Sequence, residues 1–156
     1  GSGAYSFGHR NSFGLGFDPL TGRLWQTENG PQCDDEINLI QAGGNYGWGP
    51  QSSCPNTSES GPPPHIQPKE KYTPTIVPTG LSFCVGCGLG RRLRGDLLFA
   101  AHGPNQIRHF NLNQTRDDLR DQRVLYTHPN GVLALERRLG GALYFSDLTG
   151  IFRLRR

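Results

Sequence analysis

Short stretches of alternating apolar and polar residues fill the first third of the chain and predict β-strands. In 13–18, three apolar residues alternate with glycine and aspartate, which is the two-residue period of a strand. After a Pro-Leu-Thr-Gly turn, 24–27 is a second strand, 36–40 is a third, and the short aromatic stretch 45–49 is a fourth. These four runs predict one antiparallel sheet.

The remainder of the chain repeats this pattern twice, after a proline-rich stretch at 51–71 that predicts a long surface loop. In the second set, Pro78 predicts a short or bulged first strand. Helical periodicity is weak throughout, and the charged run 115–123 fits either one helical turn or a loop. The strands predicted in the second and third sets are 76–83, 96–101, 106–112 and 123–127, then 132–136, 142–147 and 150–154.

A shared motif indicates that the three sets are an internal repeat. Gly22, Gly95 and Gly141 are each separated by one residue from a leucine that is followed by a bulky apolar residue. Four-stranded units recurring at roughly 40–50 residues are typical of propeller blades, and 22 glycines with 12 prolines suit a turn-rich fold. We therefore predict an all-β fold, a partial β-propeller forming one domain over 1–156. About three four-stranded antiparallel blades are placed at about 5–50, 73–128 and 131–156, and the third shows only three strands in the sequence.

The charge balance argues against a nucleic-acid partner. The formal net charge is only +3 over 156 residues. The basic runs at 91–94, 137–138 and 153–156 lack the aromatic or glycine motifs of RNA-binding folds, so we expect solvated turns. No apolar run approaches the roughly 20 residues of a transmembrane helix, so no membrane span is expected.

Four cysteines, at positions 33, 54, 84 and 87, indicate an oxidising compartment and a secreted or periplasmic protein. The Cys84-x-x-Cys87 spacing also fits a redox pair or half a zinc site. However, the βαβ context of the first and the further ligands of the second are missing. Structural disulfides Cys33–Cys54 and Cys84–Cys87 are favoured, but spacing alone is compatible with other pairings.

The run 28–36 lies between two predicted strands and carries the most suggestive chemistry. Its Gly30-Pro31 step predicts a tight turn, because proline fixes its own φ and glycine lets the backbone approach another group. Three acidic residues follow at 34–36. Free carbonyls and clustered carboxylates are the oxygen ligands that Ca²⁺ prefers. The alternative is a polar hairpin with a solvated acidic tip.

Several motifs in a fixed order resemble the glucose/sorbosone dehydrogenase family. They are GHRN at 8–11, GLGFD at 14–18, ENGP at 28–31, DEINLI at 35–40, GGNYGW at 43–48 and TPTIVPTG at 73–80. The resemblance is dense over 5–48, good over 73–80 and looser beyond. It implies the C-terminal half of a soluble six-bladed β-propeller. It also implies oxidation of a sugar, or a related alcohol or aldehyde, with pyrroloquinoline quinone (PQQ) and Ca²⁺.

The resemblance also implies roles for single residues. Arg10 and Asn11 match the family's quinone-contacting pair, and a guanidinium suits the carboxylates of PQQ. Thr75 matches a position that lines the cofactor pocket. Gly30 and Pro31 match the backbone carbonyl donors to the Ca²⁺ ion that polarises the quinone.

Other matched positions are expected to be structural. Asp35 and Glu36 match an Asp-Glu pair that would brace the loop, and 45–48 would pack within its blade. The family's catalytic base is a histidine in the first half of the propeller, outside this chain, and His9 is not that base. The catalytic residue is therefore unassigned, and we expect the chain alone to be inactive.

Three cationic contacts of the family have no counterpart in this sequence. His102 stands where a lysine is expected, and 131–136 lacks an Arg-x-Arg pair; His102, Arg108 and His109 are the candidate substitutes. The alternative functions are a non-enzymatic extracellular propeller that serves as a binding module, and an inactive fragment. A fragment would leave open sheet edges that pair with the rest of the propeller or self-associate.

Overall fold

The computed structural model describes residues 3–57, 59 and 63–156, which form three antiparallel β-sheets. The strand orders are β1-β2-β3-β4, β5-β6-β7-β8 and β11-β10-β9. The strands are β1 Ser12–Phe17, β2 Leu24–Glu28, β3 Asp35–Ile40, β4 Glu70–Tyr72, β5 Pro78–Phe83, β6 Leu97–Ala101, β7 Gln106–Leu112, β8 Leu119–Thr127, β9 Ala134–Arg137, β10 Leu143–Ser146 and β11 Ile151–Arg153, with a 3₁₀ turn, η1, at Arg91–Leu93. The predicted all-β, blade-like architecture is confirmed.

The fourth strand of the first sheet is not the one predicted. The stretch 45–49 contributes only an isolated parallel bridge between Phe7 and Asn45, and Gly47 has a φ of +85° that interrupts an extended backbone. The edge strand is β4, which begins within the last two residues of the predicted proline-rich loop, and its Tyr72 pairs with Asp35. The prediction of a strand at 45–49 was therefore wrong. The true edge strand, β4, was not predicted because it is short and polar and carries no apolar alternation.

The second sheet confirms one local prediction and settles the alternative that the sequence left open for 115–123. The register between β5 and β6 shifts between Pro78 and Leu81, which is the predicted irregularity. No helical turn forms over 115–123. Instead, the Asn113 side chain accepts the backbone N–H of Asp117 at 2.9 Å, a side-chain turn, and β8 begins soon afterwards at Leu119.

Adjacent sheets meet closely through their first strands, β1 and β5. An added Cβ at Gly14 would lie 2.3 Å from the Thr79 carbonyl oxygen, so glycine is required for this approach. The apolar side chains of β1 consequently point away from β5. They form an exposed row consisting of Phe13 (52 % exposed), Leu15 (59 %) and Phe17 (69 %).

Two apolar clusters hold the sheets together, and β6 belongs to both. Leu97 and Phe99 join the cluster between the first two sheets. Leu98 and Ala100 join the cluster between the second and third. This division follows the alternation of side chains along a strand, and each large apolar side chain buried here contributes about 1.5–3 kcal/mol.

Both favoured disulfides, Cys33–Cys54 and Cys84–Cys87, are present, and the described residues include no free cysteine. In the described part of the chain, no helix has the length and apolar character needed to cross a membrane.

Candidate functional site

One buried carboxylate fixes the loop between β2 and β3 to the segment that precedes β5. Asp35 is 1 % exposed, and its Oδ1 accepts the Gly30 N–H at 2.9 Å. Its Oδ2 accepts the N–H groups of Ile76 at 2.6 Å and Val77 at 2.7 Å. The prediction that Asp35 braces the loop is confirmed, and the brace joins two segments that the sequence separates widely.

The Arg10 side chain lies against the same loop. Its Nη1 donates to the Asn29 carbonyl oxygen at 2.9 Å and to the Gly30 carbonyl oxygen at 3.1 Å. The guanidinium carbon lies 5.4 Å from the ring centroid of Trp48, within range of a cation–π interaction. These hydrogen bonds use only Nη1, and Nε and Nη2 of this exposed side chain have no hydrogen-bond partner among the described residues, so both are available to an anion.

Sequence reasoning missed a polar network behind Arg10. The Glu28 carboxylate accepts the Arg10 backbone N–H, lies 2.9 Å from His9 Nδ1, and accepts Gln26 Nε2 at 3.0 Å. The His9 ring stacks on Tyr46 with 4.6 Å between centroids. The network fixes the backbone that carries Arg10. Its sequence signal is the pair of polar residues at alternate positions of β2, which face a buried side.

The five residues assigned by resemblance lie at one end of the sheets. Asn11 adjoins the loop, since its carbonyl accepts the Asn29 N–H at 3.0 Å, and Pro31 is exposed. Thr75 is half-buried in the segment that Asp35 holds. The structure brings Arg10, Asn11 and Gly30 together directly, and hydrogen bonds from Asp34 and Asp35 link the segment that carries Thr75 to them.

Asp34 ties the loop to residues within and directly after the proline-rich stretch 51–71. Its carboxylate accepts Thr57 Oγ1 at 2.9 Å and Thr73 Oγ1 at 3.0 Å, and it lies 3.1 Å from Lys71 Nζ. Burial alone would raise the pKa of Asp34, but hydrogen bonds from Lys71, Thr57 and Thr73 outweigh it, so the pKa is lowered. Together with the Cys33–Cys54 disulfide, this cluster anchors the loop.

Beside the loop lies a cavity of about 10 Å³, lined in part by Glu28, Asp34 and Glu36, with room for about one water-sized species. Among the described residues, no group of three or more His, Cys, Asp or Glu side chains is arranged to hold a metal ion. Asn29, which also lines the cavity, has a buried Oδ1 without a hydrogen-bond partner. A cation at this loop would therefore depend on carbonyl and amide oxygens, which suit Ca²⁺.

Of the three candidate substitutes for the missing cations, His102 is the one at this end of the sheets. It follows β6, and its ring occupies the space beside Gly131, where an added Cβ would lie 2.1 Å from the ring. His102 Nδ1 is buried without a hydrogen-bond partner. Arg108 and His109 lie within β7 instead, where Asp96 holds His109 Nδ1 at 2.8 Å.

A family model described as Glucose / Sorbosone dehydrogenase matches residues 2–150. The chain belongs to the glucose/sorbosone dehydrogenase family. Quinoprotein glucose dehydrogenase B of Acinetobacter calcoaceticus is 64 % identical over 44 residues, which cover 28 % of this chain and 9 % of that protein.

Solved structures agree on the fold. A glucose dehydrogenase superposes with a TM-score of 0.75 at 26 % identity, covering 90 % of this chain and 42 % of that chain. The PQQ-bound form of the aldose sugar dehydrogenase from Streptomyces coelicolor gives a TM-score of 0.68 at 22 % identity, covering 90 % of this chain and 38 % of that chain. This chain thus spans less than half the length of these relatives.

Proposed function

We propose that the chain is part of a sugar dehydrogenase that oxidises a sugar, or a related alcohol or aldehyde, by hydride transfer to PQQ with the help of Ca²⁺. Family membership supports this proposal. The single observation that carries it is the Arg10 guanidinium, which the Asn29 and Gly30 carbonyls hold through Nη1 alone. A guanidinium fixed in this way suits a planar tricarboxylate, since it binds carboxylates in a bidentate manner.

Arg10, Asn11 and Thr75 would hold the quinone, and the carbonyl oxygens of Gly30 and Pro31 would hold Ca²⁺. The residues fit these groups, because the Gly30 N–H is fixed by Asp35 and the loop offers oxygen donors. When bound, PQQ supplies the hydride acceptor and Ca²⁺ polarises it. The chain's own part is to place a positive charge beside the developing negative charge and to keep the loop rigid.

His102 is proposed to replace the family's lysine contact. It lies at the same end as the loop, and its buried Nδ1 has no hydrogen-bond partner. The base that removes the substrate proton is proposed to lie outside this chain.

The exposed row of Phe13, Leu15 and Phe17 is proposed to pack against further blades of the same propeller. The opposite face of β1 already lies against β5 of the next sheet, so blade-on-blade packing would continue the same arrangement.

A secreted or periplasmic location is proposed from the two disulfides, which persist in oxidising compartments.

The absent Arg-x-Arg pair favours a second candidate, a propeller that binds a ligand without oxidising it. Turnover by the full-length protein that contains this chain separates the two candidates. The full-length protein would be loaded with PQQ and Ca²⁺ and supplied with aldoses, and turnover would be measured as reduction of a dye acceptor. Dye reduction that requires both PQQ and Ca²⁺ is expected. Quinone binding without turnover supports the second candidate, and absence of quinone binding contradicts the proposed function.

A further inference from the structure

We infer that the chain carries a separate binding site for an anionic saccharide, in a cleft between η1 and the outer strands of the second sheet. The cleft has a volume of about 510 Å³, within the range of ligand pockets. Two arginines, a histidine, an asparagine and three leucines line it. They are Arg92, Arg123, His109, Asn111, Leu89, Leu93 and Leu125.

The cleft lies away from the proposed quinone site. Phe83, at the end of β5, pairs with Leu97 at the start of β6, and the turn bearing η1 joins these two strands. At the other end of the same strands, Pro78 pairs with Ala101, next to His102. The quinone loops and the cleft therefore occupy opposite ends of the strands, and a ligand in one does not obstruct the other.

Positive charge in the cleft is not neutralised by the protein. Arg92 and Arg123 are exposed, and within the described ranges neither forms an ion pair. No carboxylate lines the cleft. Asp96 is buried and engaged, since its two oxygens bind His109 Nδ1 at 2.8 Å and Asn111 Nδ2 at 2.9 Å. A concave surface lined by one sign of charge concentrates ligands of the opposite sign.

The wall that carries Arg92 is held rigidly. Leu93 is 8 % exposed and belongs to a core cluster. The Cys84 N–H donates to the Asp96 carbonyl at 2.9 Å, and the Gly95 N–H donates to the Cys84 carbonyl at 2.8 Å. A fixed backbone lowers the entropy cost of ordering the segment that carries Arg92 around a ligand.

The lining selects the chemical class of the ligand. Guanidinium groups bind the carboxylates of uronic acids or the sulfate esters of sulfated sugars. The three leucines that line the cleft suit the apolar face of a sugar ring. The cleft volume is larger than one inorganic anion would fill. A second cleft of about 370 Å³ on the same segment contains Arg91 and Arg94.

The choice of a saccharide rests on the proposed function, whereas the preference for an anion rests on the arginines alone.

The test is isothermal titration calorimetry of the purified protein without PQQ. The probes are a galacturonic acid tetrasaccharide, a neutral glucose tetrasaccharide and inorganic sulfate. The acidic tetrasaccharide is expected to bind in a salt-dependent manner, and the neutral one is expected not to.

The double variant R92Q/R123Q is expected to weaken binding of the acidic tetrasaccharide roughly tenfold or more, since two charge-assisted contacts are lost. The matched variant R155Q/R156Q removes the same charge from the exposed C-terminal arginines and should retain affinity within about twofold. Both variants should keep the melting temperature and the PQQ affinity of the unmodified protein, so failure here is distinguishable from failure of the quinone site.

Three results would overturn the inference. The first is equal affinity for the neutral tetrasaccharide. The second is an equal loss, or no loss, in the two double variants, because binding would then not depend on the cleft arginines. The third is that inorganic sulfate displaces the bound acidic tetrasaccharide as effectively as the free tetrasaccharide does at the same concentration. That result would identify a simple anion site. The first and third results use the unmodified protein and hold even if a variant fails to fold.

Discussion

Arg10 Nη1 donates a hydrogen bond to the Gly30 carbonyl oxygen at 3.1 Å. These two residues are assigned by resemblance to different groups, the quinone and the metal. The Gly30 carbonyl oxygen would therefore accept the Arg10 hydrogen bond and also bind the metal ion. A carbonyl oxygen has two lone pairs, so it can make both contacts. Any change that moves the loop should therefore alter the quinone and metal contacts together.

Replacing Asp35 by asparagine should destabilise the protein by about 3 kcal/mol. The amide keeps one acceptor oxygen and points an N–H₂ group towards N–H donors of Gly30, Ile76 or Val77, so buried donors lose their partner. Urea unfolding at pH 7 measures the change. Asp121→Asn, on an exposed residue, is the control and should cost less than about 0.5 kcal/mol. Equal stability of the two variants would contradict the bracing role.

Removing the two disulfides separately should give unequal losses of stability. The Cys33–Cys54 bridge spans 21 residues and the Cys84–Cys87 bridge spans 3. The chain-entropy model then predicts losses of about 3 and about 2 kcal/mol for the two double serine variants. Only the first should also weaken PQQ binding, because that bridge anchors the Gly30 loop. A larger loss of unfolding free energy in C84S/C87S than in C33S/C54S would contradict the prediction that the longer bridge stabilises the protein more.

Asp34 should make stability depend on acidity. Its folded pKa lies below the ordinary 3.8 because Lys71, Thr57 and Thr73 bind the carboxylate and outweigh the effect of burial. The resulting stabilisation is present above the unfolded pKa and is lost as the pH falls through the folded pKa.

Asp34→Asn is therefore expected to lower the free energy of unfolding by about 2 kcal/mol at pH 7. The difference from the unmodified protein should shrink as the pH falls below 3.8. Denaturant unfolding at several pH values measures this. A difference that stays constant across that range would rule out the charged carboxylate as its source.

The exposed apolar row on β1 should drive association of the isolated chain. Leu15 is 59 % exposed in this row, and such patches mark interaction surfaces. Sedimentation velocity should show concentration-dependent association that Leu15→Lys reduces. Leu139→Lys changes a 91 % exposed residue in a turn outside this row and should have little effect. An isolated chain that stays monomeric at every concentration would contradict the proposal.

Local sequence signals predicted much of the fold, because they depend on nearby residues. The glycine-leucine motif precedes β2, β6 and β10, the second strand of each sheet, and alternation located most of the others. The edge strand Glu70–Tyr72 was missed because its position depends on pairing with β3. The outward orientation of Phe13 was also hidden, since it follows from the close approach of Gly14 to β5.

The candidate site was predictable as a set of motifs but not as a geometry. Contact between Arg10 and Gly30 requires the β1–β2 register, in which Ser12 pairs with Glu28, and spacing does not give that register. The alternate polar positions of β2 did not by themselves indicate that Glu28 is buried against His9, because a polar residue in a strand is more often solvent-exposed.

The most direct test is a titration of the purified chain with PQQ, followed by quinone absorbance, with and without Ca²⁺. We expect Ca²⁺-dependent binding that weakens roughly tenfold or more in Arg10→Lys, because an ammonium cannot make the bidentate contact. Arg155→Lys, on an exposed terminal residue, should leave the affinity unchanged. Absence of quinone binding, or equal affinity in Arg10→Lys, would contradict the proposed cofactor site.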